Sequence, residues 1–170
     1  MLGFLFRGLT ADPRRAAALF DAVTAKAREP HWYIEGTVPD TLDGRFAVLA
    51  TITALVLARL EQAGQAGNAA SVALTERFIE VMESEHRELG LGDPTLGKTV
   101  RKLVGSLGRR TETWRHTVTG ESDWNQSTRQ SLYKDAVSAD ALRHSSEVLK
   151  ALWTELQSLS VEALEKGSLQ

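Results

Sequence analysis

An uncharged apolar run from Phe46 to Ala58 is closed at each end by an arginine, Arg45 and Arg59. Its 13 residues span about 20 Å as a helix, too little to cross a hydrocarbon core of ~30 Å. The run lies inside a helical pattern that starts at about Thr41 or Asp43 and continues to Ala63. Phe46, Val48, Leu49, Ile52, Leu55, Val56, Leu57 and Leu60 cover most of that helix's circumference. A helix apolar on nearly every side is stable in water only when other elements enclose it. The rest of the chain must therefore wrap around this one segment. With 170 residues and 42% hydrophobic side chains, it has enough material for one domain with a true core. Cysteine is absent, which removes disulfides, thiolate chemistry, Fe–S clusters and cysteine zinc sites together. The 20 basic and 22 acidic side chains leave no global positive field to attract nucleic acid.

The enclosing segments read as helices, and none reads convincingly as a strand. A first helix begins at Asp12-Pro13, with Asp12 as cap and proline pre-set for the first position. Ala16, Leu19, Phe20, Val23 and Ala27 continue it until Pro30 stops it. His31 to Leu42 is a non-helical connector, and Asp40 with Asp43 forms an approximate capping box for the central helix. Gly64 to Ala70 reads as a small-residue loop. A third helix, Val72 to Leu89, sets Leu74, Phe78, Val81, Met82 and Leu89 on one stripe and Glu76, Glu80, Glu83, Glu85 and Glu88 on the other face. Gly90-Leu91-Gly92-Asp93-Pro94 is the sharpest punctuation in the chain. Gly90 suits a left-handed helix end, and Asp93 with Pro94 suits a helix start. A fourth helix, Thr95 to about Val118, has an apolar stripe of Leu96, Val100, Leu103, Leu107, Trp114 and Val118. Its other positions hold Lys98, Arg101, Lys102, Arg109, Arg110 and Arg115 against Glu112 alone, a local excess of five positive charges. Trp124 to Val137 is a weaker helix, and Ala139 to about Leu159 a sixth. The expected fold is all-α: a single-domain bundle of about six helices with a long buried central helix. An apolar N-terminal segment (1–11) precedes the helical body (12–160), and a frayed tail (161–170) follows it.

Few residues offer chemistry. Four histidines are present, but the nearest local metal pairing, Glu83 with His86, lacks the second copy and the inward carboxylates that a bundle metal site needs. No nucleophile elbow, phosphate-cradling glycine loop or His-Glu-x-x-His motif occurs. The expectation is no catalytic residue, no metal and no cofactor. Three features suggest contacts instead. The basic stripe on the fourth helix is a solvated face, an interaction surface for a negatively charged partner, or a nucleic-acid surface. The last is weakest, because no helix-turn-helix pattern or stacking aromatics flank it. Trp32-Tyr33 either packs on the central helix or serves as an exposed anchor. Leu2, Phe4, Leu5, Phe6 and Leu9 either dock on the protein's own core or insert into a membrane surface.

Taken together, several runs are similar to one family. Tyr33 followed by Val38-Pro39-Asp40-Thr41-Leu42-Asp43-Gly44-Arg45-Phe46, the helix ending Leu55-Val56-Leu57-Ala58-Arg59-Leu60, and Arg87-Glu88-Leu89-Gly90-Leu91-Gly92-Asp93 carry the likeness. Gly97-Lys98, Val100-Arg101-Lys102-Leu103 and Gly108-Arg109 extend it. Over roughly residues 10–135 the chain resembles the ubiquinol–cytochrome c chaperones, assembly factors for respiratory complex III. The resemblance implies an all-α, non-enzymatic chaperone. It implies a client in newly made cytochrome b or another membrane protein, a small partner chaperone, and contact with the ribosome near its exit tunnel. Without a transit peptide, the chain reads as a bacterial member in the cytoplasm, with contact to the inner face of the membrane.

On this reading Lys98, Arg101, Lys102, Arg109, Arg110, Trp32 and Tyr33 are expected to bind partners. Leu2, Phe4, Leu5 and Phe6 are expected to touch membrane, and Gly90, Gly92 and Asp93 to form a structural turn. Sequence-specific DNA binding is not expected. The competing function is an all-α lipid or quinone carrier, which needs a sizeable internal apolar cavity.

Overall fold

The computed structural model describes residues 16–169, and these form seven α-helices and no strand. The helices are α1 (Ala17–Ala27), α2 (Leu42–Glu61), α3 (Gly64–Glu88), α4 (Asp93–Val118), α5 (Trp124–Leu132), α6 (Ala139–Ser158) and α7 (Val161–Glu165). A single 3-10 turn, Pro30–Trp32, lies in the connector between α1 and α2. The expected enclosure of the apolar helix is met: α2 packs against α1, α3, α4, α5 and α6. From Ala50 to Ala58 every residue of α2 is buried. Around it stand Phe78 of α3, Trp114 of α4, Leu149 and Leu156 of α6 and Leu164 of α7, all essentially inaccessible.

Boundary residues behave according to their local chemistry, and several differ from the sequence expectations. Thr41, not an aspartate pair, caps α2: its hydroxyl accepts from the Gly44 N–H at 3.2 Å. Asp40 and Asp43 are occupied elsewhere, with Arg45 and Lys134, each at 2.6 Å. Gly44 is needed because its helix start presses on the connector. A Cβ there would lie 1.9 Å from the Pro39 carbonyl oxygen. Gly64 to Ala70 is helix rather than loop. The small residues are contact surface: Gly67 and Ala70 are buried, and the Gly67 backbone lies directly against Leu60 of α2.

At the end of α3, Gly90 has φ +86, its N–H reaches the Arg87 carbonyl, and the Leu91 N–H reaches that of His86. That is the Schellman closure expected of Gly90. Asp93, however, does not cap α4. Gly92 occupies the cap position without a side-chain bond, and Asp93 is the first helical residue. Its carboxylate still stands near the positive end of the helix dipole. The fifth helix stops at Leu132, because Tyr133 is extended and sends its hydroxyl to the Gly36 carbonyl at 2.6 Å. The tail is not frayed over its whole length. Ser160 caps α7, Leu164 is fully buried, and Arg59 of α2 donates to the carbonyls of Leu156 and Leu159 at 2.9 Å each. The expected cap at Asp12-Pro13 lies outside the described residues.

Candidate functional site

α3 has 25 residues and so runs for about 37 Å. Its C-terminal half stands opposite α1, the connector and the first turns of α2, and a groove of about 1180 Å³ opens between them. Phe20 of α1, Tyr33 of the connector, Phe46 and Leu49 of α2, Val81 of α3 and Leu103 of α4 line it. Four large apolar side chains are left exposed among the described residues, and three of them line this groove: Ile34 (68%), Leu42 (60%) and Leu89 (63%). Only Val72 lies away from it. Such clustering is uncommon on a surface without a partner. Covering each of the three recovers about 1–2 kcal/mol of hydrophobic free energy.

The connector is held in place by the residues first read as partner anchors. The Trp32 indole N–H donates to the Lys26 carbonyl and the Tyr33 hydroxyl to that of Ala27, both at 2.9 Å. Both carbonyls belong to the last turn of α1, where backbone acceptors lack helical partners. Trp32 is 1% exposed, so it is a packing residue and not a contact anchor. Tyr33 is half-buried and also lines the groove. His31 and His144 meet at 3.2 Å across the connector and α6, and His31 also contacts Glu29 at 2.9 Å. No cluster of three metal-ligating side chains exists among the described residues.

Charges around the groove divide into paired and unpaired. Asp40 is held by Arg45, Asp43 by Lys134, and Arg77 by Glu80. Asp21, Glu85 and Glu88 also line the groove, are exposed and have no ion pair among the described residues; Arg28 alone opposes them. The floor is thus apolar and the free charge on the rim is mainly negative.

The basic face of α4 resolves into two populations. Lys98, Arg101, Lys102 and Arg109 are exposed and form no ion pair among the described residues, with the acidic face of α3 or otherwise. Arg110 does not belong with them. Its Nε and Nη2 donate to the Ser131 carbonyl at 3.3 and 2.8 Å, and Nη1 reaches Ser106. Its guanidinium lies 5.8 Å from the centre of the Phe46 ring. Burial pushes this guanidinium below its ordinary pKa, and neighbouring Arg109 adds to the effect. Arg110 therefore ties α4 to α5 and braces the groove floor from behind. Arg115 is also occupied, in a two-pronged pair with Glu61 at 2.6 and 2.7 Å.

Of the turn residues, Gly90 closes α3, Gly92 stands at the cap position of α4 and Asp93 is the first residue of that helix. Leu2, Phe4, Leu5 and Phe6 lie outside the described residues. No helix among the described residues is long and apolar enough to cross a membrane. Ile34 was not singled out from sequence, Leu42 was named only within a motif, and Leu89, placed on the apolar stripe of the third helix, is exposed at that helix's end instead. Their only signal was that each apolar side chain stands at or beyond the end of a helical stripe.

The family model described as ubiquinol-cytochrome C chaperone matches residues 35–169. That span lies further toward the C-terminus than the 10–135 inferred from the motifs. A crystal structure of the Cbp3 homolog from Brucella abortus is similar, with 25% identity and a TM-score of 0.75. The likeness covers 100% of this chain and 96% of that one. Among curated proteins none matches significantly.

Proposed function

Because the chain belongs to the ubiquinol-cytochrome C chaperone family, we propose that it shelters apolar segments of newly made cytochrome b in the groove between α1, α2 and α3. It does so by binding alone, as a non-enzymatic assembly chaperone for ubiquinol–cytochrome c reductase. The observation that carries this reading is the gathering of Ile34, Leu42 and Leu89 in one groove. An apolar floor takes the side chains of a membrane segment before it reaches lipid. An acidic rim suits the lysines and arginines that flank such segments on the cytoplasmic side. A lipid or quinone carrier needs a closed apolar cavity. This groove is open to solvent at those three side chains, which favours a polypeptide.

The exposed cations of α4 are a second contact surface. Lys98, Arg101, Lys102 and Arg109 suit an anionic partner such as ribosomal RNA at the exit region, an acidic partner chaperone or a lipid headgroup. Both surfaces would work on the cytoplasmic side, where client segments emerge. The test uses peptides from the membrane segments of cytochrome b. Ile34→Glu combined with Leu89→Glu should weaken their binding at least tenfold while the melting temperature stays close to wild type. Unchanged binding by the folded double variant would exclude the groove as the client site.

A further inference from the structure

We propose that the chain's own N-terminal segment, around Leu2 to Leu9, docks in the groove and competes with the client. The inference rests on the groove being a site for apolar polypeptide. It starts from what that site offers: an apolar floor, and unpaired Asp21, Glu85 and Glu88 against Arg28 on the rim. The segment has the complementary character. Leu2, Phe4, Leu5, Phe6 and Leu9 supply apolar side chains, and Arg7, Arg14 and Arg15 outnumber Asp12.

Position agrees with composition. The described chain begins at Ala16, immediately before α1, and Phe20 and Asp21 in the first turns of α1 already line the groove. The ten residues from Ala16 back to Phe6 reach about 33 Å when extended. The groove wall along α1, from Phe20 to Ala27, is about 10 Å long. The tether therefore suffices without strain.

Tethering also makes weak docking effective. A segment covalently joined to its site by a few residues has an effective concentration near ~1 mM. If its intrinsic affinity for the groove is only ~100 µM, it occupies the groove about nine-tenths of the time and weakens a competing client about tenfold. A free chaperone would then hide Ile34, Leu42 and Leu89 from one another's copies and yield them to a tighter client.

The chain's lack of cysteine gives a direct test. Phe4→Cys is paired with Leu89→Cys in the groove, and separately with Val72→Cys, an exposed position on α3 outside it. A short bis-maleimide at low protein concentration should link the Leu89→Cys variant within one chain at least tenfold faster than the Val72→Cys variant. A synthetic Leu/Ala peptide of about 18 residues with two lysines at one end serves as the groove probe. It should bind about tenfold more tightly to the chain lacking residues 2–9, and likewise to the full chain carrying Leu5→Asp and Phe6→Asp. Equal crosslinking of the two cysteine pairs, or links mainly between chains, overturns the docking. So does equal probe affinity in full and altered chains. If crosslinking shows no preference and truncation instead abolishes binding to anionic vesicles, the segment is a membrane contact and the proposal fails. If crosslinking is selective but no chain binds the probe, docking stands and the client reading of the groove falls.

Discussion

The two ends of α2 have opposite surroundings. Toward its C-terminus the helix is sealed: Leu55, Val56 and Leu60 are inaccessible, and Arg59 crosses to α6 to satisfy the carbonyls of Leu156 and Leu159. Toward its N-terminus Leu42 is 60% exposed and Phe46 lies against the groove. The contrast separates stability from binding along one helix. At the sealed end each apolar side chain has already gained its burial free energy. At the open end some of that gain is still available to a partner. The largest expected difference follows directly. Leu55→Ala should destabilise by about 2–5 kcal/mol in denaturant unfolding, since it leaves a cavity in an enclosed core. Leu42→Ala should change stability by only about 0.5 kcal/mol, yet weaken client-peptide binding. Comparable destabilisation by both would mean that the open end is part of the core after all.

The same contrast runs through α4, between Arg110 and its exposed neighbours. Arg110→Ala removes the donor to the buried Ser131 carbonyl and the support behind Phe46. It should cost about 1–3 kcal/mol. Reversing Lys98, Arg101 and Lys102 to glutamate should alter stability by less than about 1 kcal/mol, because exposed charges contribute little. The triple variant should lose binding to an anionic partner, and wild-type binding should fall as salt rises. If the triple variant unfolds, those cations have an internal partner and are not a contact surface.

Arg110 also shows how far the sequence could be read. It stands three residues after Leu107 and four before Trp114, on the apolar stripe of α4, so helical periodicity places it inward. Grouping it with Arg109 by charge type overlooked that spacing. The central helix was legible for the opposite reason: an all-round apolar run has only one stable environment. Gly90 was legible because the end of a helix demands positive φ there. The groove was not legible. It needs α1, the connector and the end of α3 to converge; Ile34 and Leu42 each look like an isolated apolar residue, and Leu89 reads as one more member of the apolar stripe of α3. The small residues at Gly64–Ala70 misled because glycine and alanine serve both turns and close helix contacts. Only the approach of Gly67 to Leu60 distinguishes the two.

Helix starts give a smaller but sharper comparison. Thr41 caps α2 with a hydrogen bond, whereas Asp93 is the first residue of α4 and makes none. Thr41→Ala should cost about 1 kcal/mol. Asp93→Ala should cost only about 0.3–1 kcal/mol, through the helix dipole, and less at high salt. Gly90→Ala should cost about 1 kcal/mol, because alanine resists the φ of +86. Equal salt-insensitive losses at Thr41 and Asp93 would place a true cap on both helices.

The smallest effect concerns the far end of α4, away from the groove. His116 lies between two carboxylates, with Nδ1 2.6 Å from Glu121 and Nε2 3.2 Å from Glu112. Hydrogen bonds to Glu121 first, then Glu112, raise its pKa above the ordinary 6.5. Glu121 is lowered from 4.5 chiefly by His116, and Glu112 chiefly by Arg115. A raised histidine stabilises the fold fully below its unfolded pKa, and that stability is lost as pH rises through the folded value. Lowered carboxylates stabilise the fold above their unfolded pKa and lose that contribution as pH falls through their folded values. The cluster therefore contributes most between roughly pH 5 and 6.5. All three groups are exposed, so the effect is small and salt-sensitive. Melting temperature should fall slightly from pH 6 to pH 8 in low salt, and His116→Gln should flatten that slope without altering client binding. A slope that survives His116→Gln would mean that this cluster does not carry the pH dependence.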